Sequence, residues 1–183
     1  MSLKKTLPEI IKNNPNKEIF YFDESRFGTH SKVGHAWFKT GTKPKMKIKL
    51  GFKNFYLYSA VNLRTGEEFT LILPKANKEL MKIFMTEFYK KYKGRNIIII
   101  MDGAGWHKDQ KYLLQNIENI EIVLQPSYSP ELNPVERLWQ YIKNHTIKNK
   151  IYGTLDDLEN EICKFFNDKI NNDVIRNVCT VNY

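Results

Sequence analysis

The chain has 183 residues, 42% apolar and 13% aromatic, which is enough for one domain with a substantial core and excludes a disordered segment. Its formal net charge of +9 suggests a polyanionic partner, but 24 of the 29 basic residues are Lys, a bias that an AT-rich coding sequence also produces. The longest apolar run, Ile97 to Met101, is strand length, so no segment approaches the roughly 20 apolar residues of a membrane span; no secretion signal opens the chain, and a cytoplasmic location is expected.

In chain order, Leu7 to Asn14 predicts a short helix stopped by Pro15, leaving residues 1–17 as linker or short helix. Glu18-Ile19-Phe20-Tyr21-Phe22 reads as a buried strand that delivers Asp23 at its C-terminal end. From Lys43 to Phe52 the residues alternate: Lys43, Lys45, Lys47 and Lys49 take one face, Met46, Ile48, Leu50 and Phe52 the other. Asn54 to Asn62 is a further strand, and Arg64-Thr65-Gly66-Glu67 turns it into Glu68 to Leu73. Asn77 to Tyr92 changes to a helical period, with Leu80, Met81, Phe84 and Phe88 on one face, and Gly94 ends it. Asn96 to Met101 is a continuous apolar strand that delivers Asp102. A short helix near Asp109 to Asn116 and a strand at Glu121 to Leu124 follow. The loop Gln125 to Asn133 then leads into a helix with Asn133 as N-cap, Pro134 at its first position, and an apolar stripe of Val135, Leu138, Trp139 and Ile142. A last helix opens at Thr154. Cys163 and Cys179 stand 16 positions apart without partners at metal-ligand spacing, so they are expected as buried free thiols. This order implies mixed α/β with a central sheet.

Asp23 and Asp102 each follow an apolar strand, and Glu136 lies in the first turn of a helix after a long loop. If the two strands are neighbours, both aspartates emerge at one sheet edge, where open α/β sheets place their sites. Clustered carboxylates suit hard divalent cations and phosphoryl transfer. Singly, each has a structural reading: an aspartate after a strand is a common turn or cap residue, and Asn133-Pro134-Val135-Glu136 fits a capping box.

Three blocks decide between these readings. Phe22-Asp23-Glu24-Ser25-Arg26-Phe27-Gly28, Met101-Asp102-Gly103-Ala104-Gly105-Trp106-His107 and the stretch from Pro126 through Ser129-Pro130-Glu131-Leu132-Asn133-Pro134-Val135-Glu136 to Trp139 occur in that order. Together they resemble the DDE catalytic domain of mariner-superfamily transposases, in its prokaryotic insertion-sequence branch. The resemblance implies an RNase-H-like fold over residues 18–183, with a central mixed five-stranded sheet flanked by helices. It implies a DDE transposase: metal-dependent endonuclease cleavage at transposon ends and strand transfer into target DNA, with Asp23, Asp102 and Glu136 as catalytic residues and ligands of two Mg²⁺ or Mn²⁺ ions. A homodimer is expected, since two ends must be cut together. Helix-turn-helix modules that read the ends are expected in cis or in trans, because nothing before Asp23 is long enough to hold them. The alternatives are a non-catalytic DNA-binding remnant of a transposase and another RNase-H-fold nuclease or integrase.

Glu24 is a second acid beside Asp23, but strand alternation points it away. His107 matches a His of the family block and is a candidate contact to DNA, with a structural His as its rival. Trp139 is expected in the core and Asn133 as a cap. The Lys43, Lys45, Lys47 and Lys49 face could track DNA phosphates or protect a sheet edge from pairing.

Overall fold

Strands β1 (Glu18–Gly28), β2 (Asn54–Val61), β3 (Glu68–Leu73), β4 (Ile97–Met101) and β5 (Ile120–Leu124) form one sheet in the order β3-β2-β1-β4-β5 in a computed structural model. The residues described are 9–10, 12–30, 40, 51, 53–125 and 133–180. β1 pairs antiparallel with β2 and parallel with β4; β2 and β3 are antiparallel, and β4 and β5 parallel. The sheet is therefore mixed and five-stranded, with helices on both faces, as expected.

The pleat of β1 feeds two cores. Phe20 and Phe22 pack with helix α1 (Lys78–Lys91), whose Met81, Phe84, Met85 and Phe88 are fully buried. Tyr21 and Phe27 face the other way, toward α3 (Val135–Thr146), α4 (Leu155–Lys169) and α5 (Asn172–Cys179). β4 supplies both cores, so all five of its residues are fully buried, each aliphatic contributing about 1.5–3 kcal/mol. After β4 come a 3₁₀ turn (Gly105–His107) and the single-turn helix α2 (Gln110–Leu113), capped by the Asp109 carboxylate on the Tyr112 amide.

Local signals account for most helix boundaries. The Asn77 side chain accepts from the Leu80 amide to open α1. Thr154 and Asp157 form a reciprocal capping box at the start of α4. At the β2–β3 turn Gly66 has φ +76°, and an added Cβ would meet the Asn172 carbonyl oxygen at 2.1 Å, so this turn packs directly on the start of α5.

Several expectations change. β1 does not stop at Phe22; it runs to Gly28 because β2 continues to pair with it as far as Asn54. The helix expected from Thr154 forms, and a further, unexpected helix follows it, separated where Ile170 is extended and Asn171 caps α5 through the Val174 amide. Cys179 is buried but Cys163 is exposed on α4. Residues 9–10 and 12–13 are helical, within the expected 7–14 helix. The Lys43, Lys45, Lys47 and Lys49 face lies outside the described residues, as does the 126–132 part of the third block.

Candidate active site

Tyr21 of β1 pairs with Ile100 of β4 in parallel register. Two residues further along both strands, the same register brings Asp23 beside Asp102. Asp102 has already left the sheet, because β4 ends at Met101, whereas Asp23 sits within β1 opposite Ser59 of β2. The two aspartates thus share one edge by register, although only one of them terminates a strand.

Asp23 lies on the Tyr21 face of β1, toward α3. Trp139 is 1% exposed, packs edge-on against Phe27, and donates its indole N–H to Asp23 Oδ2 at 2.8 Å. Burial pushes the Asp23 carboxyl up to about 8; the negative charges of Glu24, Glu136 and Asp102 add to the effect, and the Trp139 hydrogen bond opposes it. All three neighbouring acids are therefore close enough to repel it.

Glu136 is held in place through Asn133. The buried Asn133 amide donates from Nδ2 to the Phe22 carbonyl at 2.9 Å and accepts at Oδ1 from the Val135 amide at 3.2 Å. This ties the first turn of α3 to the β1 backbone one residue before Asp23. Pro134, at the helix boundary, makes no side-chain capping hydrogen bond, and among the described residues Glu136 makes none back to the Asn133 amide, so the capping box expected for Glu136 does not form. Glu136 is exposed. Trp139 and Lys143 follow at i+3 and i+7 on the same flank, and Lys143 Nζ donates to Ser25 Oγ at 2.6 Å.

Asp102 accepts at Oδ1 from the Ala104 amide at 3.0 Å and from His107 Nδ1 at 2.7 Å. The His107 hydrogen bond holds its carboxyl below the usual range, against partial burial and with help from the Ala104 amide. His107 was a candidate DNA contact, yet it is 1% exposed and wedged edge-on against Phe22. Its second nitrogen, Nε2, lies 3.4 Å from Glu24 Oε2. Burial disfavours its charged form, but the hydrogen bonds and charges of Asp102 and Glu24 prevail and push it up to about 9. Glu24 points away from Asp23, as alternation predicts, and takes the Trp106 indole N–H on Oε1 at 2.9 Å.

The three acids belong to one edge, but among the described residues no three His, Cys, Asp or Glu side chains are gathered tightly enough to hold a metal ion. Asp102 Oδ1 is turned onto His107, and Asp23 Oδ2 onto Trp139. The donor chemistry nevertheless fits hard divalent cations: three carboxylates, one of them buried among negative charges that a cation would relieve. The roles of Trp106 and Lys143, and the ties of Trp139 to Asp23 and of Asn133 to Phe22, are absent from the sequence reading. The only signal for them was the spacing of Trp139 and Lys143 from Glu136.

Comparison with known proteins gives the family and the fold. A family model described as DDE superfamily endonuclease matches residues 18–159. The chain is 34% identical over 113 residues to the uncharacterized protein y4pE/y4sA of Sinorhizobium fredii (strain NBRC 101917 / NGR234), covering 61% of this chain and 82% of that protein. It is 26% identical over 152 residues to an uncharacterized 39 kDa protein of insertion element IS630 from Shigella sonnei, covering 81% of this chain but 43% of that protein. In structure it is similar to the Mos1 strand transfer complex, with a TM-score of 0.73 at 14% identity over 96% of this chain and 54% of that one. The catalytic domain of Mos1 mariner transposase matches with a TM-score of 0.62 at 14% identity, over 96% of this chain and 84% of that one. These structural likenesses show the fold, which is the RNase-H-like one expected. The chain spans less than half of the Shigella protein and about half of the Mos1 chain in the strand transfer complex.

Proposed function

Because the chain belongs to the DDE superfamily endonucleases, we propose that it is a transposase catalytic domain, cutting DNA at the ends of an insertion element and transferring the cut strand into target DNA. The observation that carries this reading is the meeting of Asp23, Asp102 and Glu136 at one sheet edge: the first two by strand register, the third through the Asn133 tether. The catalytic unit is taken as residues 18–183, with 1–17 as linker or short helix.

In this reading the three carboxylates hold two Mg²⁺ or Mn²⁺ ions, the metals named in two Mos1 paired-end complexes of the same fold. When bound, such a pair activates the attacking oxygen and stabilises the leaving one in phosphodiester exchange. The chain's own residues set the stage. Trp139 orients Asp23 and seals it from water on the core side, His107 fixes the rotamer of Asp102, and Asn133 sets the height of Glu136 above the edge. DNA is the partner, as it is for the Mos1 paired-end complex with the left transposon end, and a homodimer follows if two ends are cut together.

Glu136→Gln is the sharpest test. With no cap to lose, its melting temperature should stay within about a degree, while Mn²⁺-dependent cleavage of element-end DNA should fall at least about 100-fold, roughly 2.7 kcal/mol of barrier. Asp102→Asn should behave alike. Normal cutting by Glu136→Gln would remove it from the site, and a parent protein that never cuts would leave a non-catalytic DNA-binding remnant.

A further inference from the structure

Beyond Met101 the sheet narrows. β4 has ended, but β1 and β2 run on to the Gly28–Asn54 pair, with β3 beside β2 as far as Tyr56, so that only the last two pairs form a two-stranded ribbon. From Asp23 to Gly28, β1 extends roughly 17 Å past the acids, at about 3.3 Å per residue. Where it meets the second half of α3 there is an open cleft of about 500 Å³. Arg26, His30, Lys53 and Lys143 line it, and among the described residues no acidic side chain does. These four come from three separate parts of the chain.

Lys143 joins the cleft to the acids. Its ammonium lies 5.0 Å above the Phe27 ring and donates to Ser25, which is two residues beyond Asp23 on the same face of β1. It therefore stands roughly 7 Å along the strand from Asp23. The ribbon tip is kept narrow by Gly28, where an added Cβ would meet the Lys53 carbonyl oxygen at 2.9 Å. The result is a track of positive charge that begins beside the carboxylates and leads away from them along the ribbon.

We propose that this cleft binds the phosphodiester backbone of the DNA on one flank of the scissile bond. With about 3.4 Å of rise per nucleotide on one strand, its span matches about five nucleotides from the acids. The contacts go to phosphates and not to base edges, so the cleft positions the flank without reading its sequence. The proposal rests on the reading of Asp23, Asp102 and Glu136 as the place where DNA is cut.

The test is equilibrium binding of a random-sequence duplex by the whole chain in EDTA, across a salt series. Arg26→Gln with Lys53→Gln, both exposed, should flatten the slope of log affinity against log salt by about 0.9 per contact, and weaken binding at least tenfold near 0.1 M salt. Lys143→Gln should add to the loss and Lys143→Arg should restore it, which separates charge from packing on Phe27. Lys111→Gln with Lys164→Gln removes the same charge elsewhere and should leave the slope nearly unchanged. An unchanged slope in the Arg26 and Lys53 variant overturns the proposal. So does an equal loss in the Lys111 and Lys164 control, or a parent chain that fails to bind DNA at low salt. Because no metal is present, these outcomes are independent of cleavage. An unaffected slope together with a dead Asp102→Asn enzyme removes the cleft alone, whereas a flattened slope with fully active Asp102→Asn removes the catalytic assignment alone.

Discussion

A carboxylate that has lost most of its water needs a cation or several donors beside it, and at this site the demand falls on His107. Its ring bridges Asp102, which is half-exposed, and Glu24, which is buried on the opposite face of β1. The bridge holds Glu24, with Trp106, on the opposite face of β1 from Asp23, although its charge still acts on Asp23. His107→Ala would leave the Glu24 charge buried beside a single indole donor. Breaking such a buried pair should cost roughly 3 kcal/mol in urea unfolding. Combined with Glu24→Gln, which removes the orphaned charge, the cost should be at least about 1 kcal/mol less than the sum of the two single changes. Strict additivity would mean that the two side chains do not act as a pair.

The far end of the sheet is held by a cluster of charges around Arg95. Arg95, just before β4, binds Glu18 at the start of β1 and Glu67 in the turn before β3, so one guanidinium spans three segments. Its hydrogen bond holds the Glu67 carboxyl below its ordinary value, with Thr65 assisting against partial burial. The sign follows from linkage: a carboxyl lowered in the fold stabilises above its unfolded pKa, and that contribution disappears as pH falls through the folded value. Glu67→Gln should therefore be less stable than the parent at pH 7, with the gap closing as pH drops through the acid range below about 4.3. Chemical denaturation of both proteins at pH 7 and pH 3 checks this, and a gap that stays constant would show that the Arg95 cluster contributes no charge-dependent stability. At the opposite end, β1 and β2 run past β4, and by two residue pairs past β3, and cations line the cleft beside them, an arrangement suited to a polyanion.

For the whole molecule, the net charge of +9 and the cleft favour DNA of any sequence, since Lys and Arg on a flexible stem meet phosphates without geometric demand on bases. This chain alone should bind an element-end duplex and a scrambled duplex with affinities within about tenfold, roughly 1.4 kcal/mol. Competition between the two measures it, and a larger preference would place base recognition within the catalytic domain itself. Among the described residues no helix is long and apolar enough to cross a membrane.

Local patterning carried much of this molecule. The alternation around Phe20, Tyr21 and Phe22, the unbroken run Ile97 to Met101 and the stripe from Val135 to Ile142 each report which side of an element must be buried, and that suffices to place Asp23, Asp102 and Glu136 on the right elements. The three sequence blocks around these acids carried the family. Tertiary structure decided what periodicity does not encode: how far β1 runs, which side chain answers which charge, and what meets across the chain. β1 outlasts Phe22 because β2 pairs with it, a contact more than 25 residues distant. Asn133 finds the Phe22 carbonyl across a separation of 111 residues, and Trp139 finds Asp23 across 116. Asn133 and Glu136 read locally as a cap and its box because both motifs use the same residue types; only packing of α3 on β1 draws the Asn133 amide to the strand and leaves Glu136 facing solvent at the edge. The basic cleft was invisible for the same reason, since Arg26, Lys53 and Lys143 are ordinary surface cations until the fold sets them around one opening.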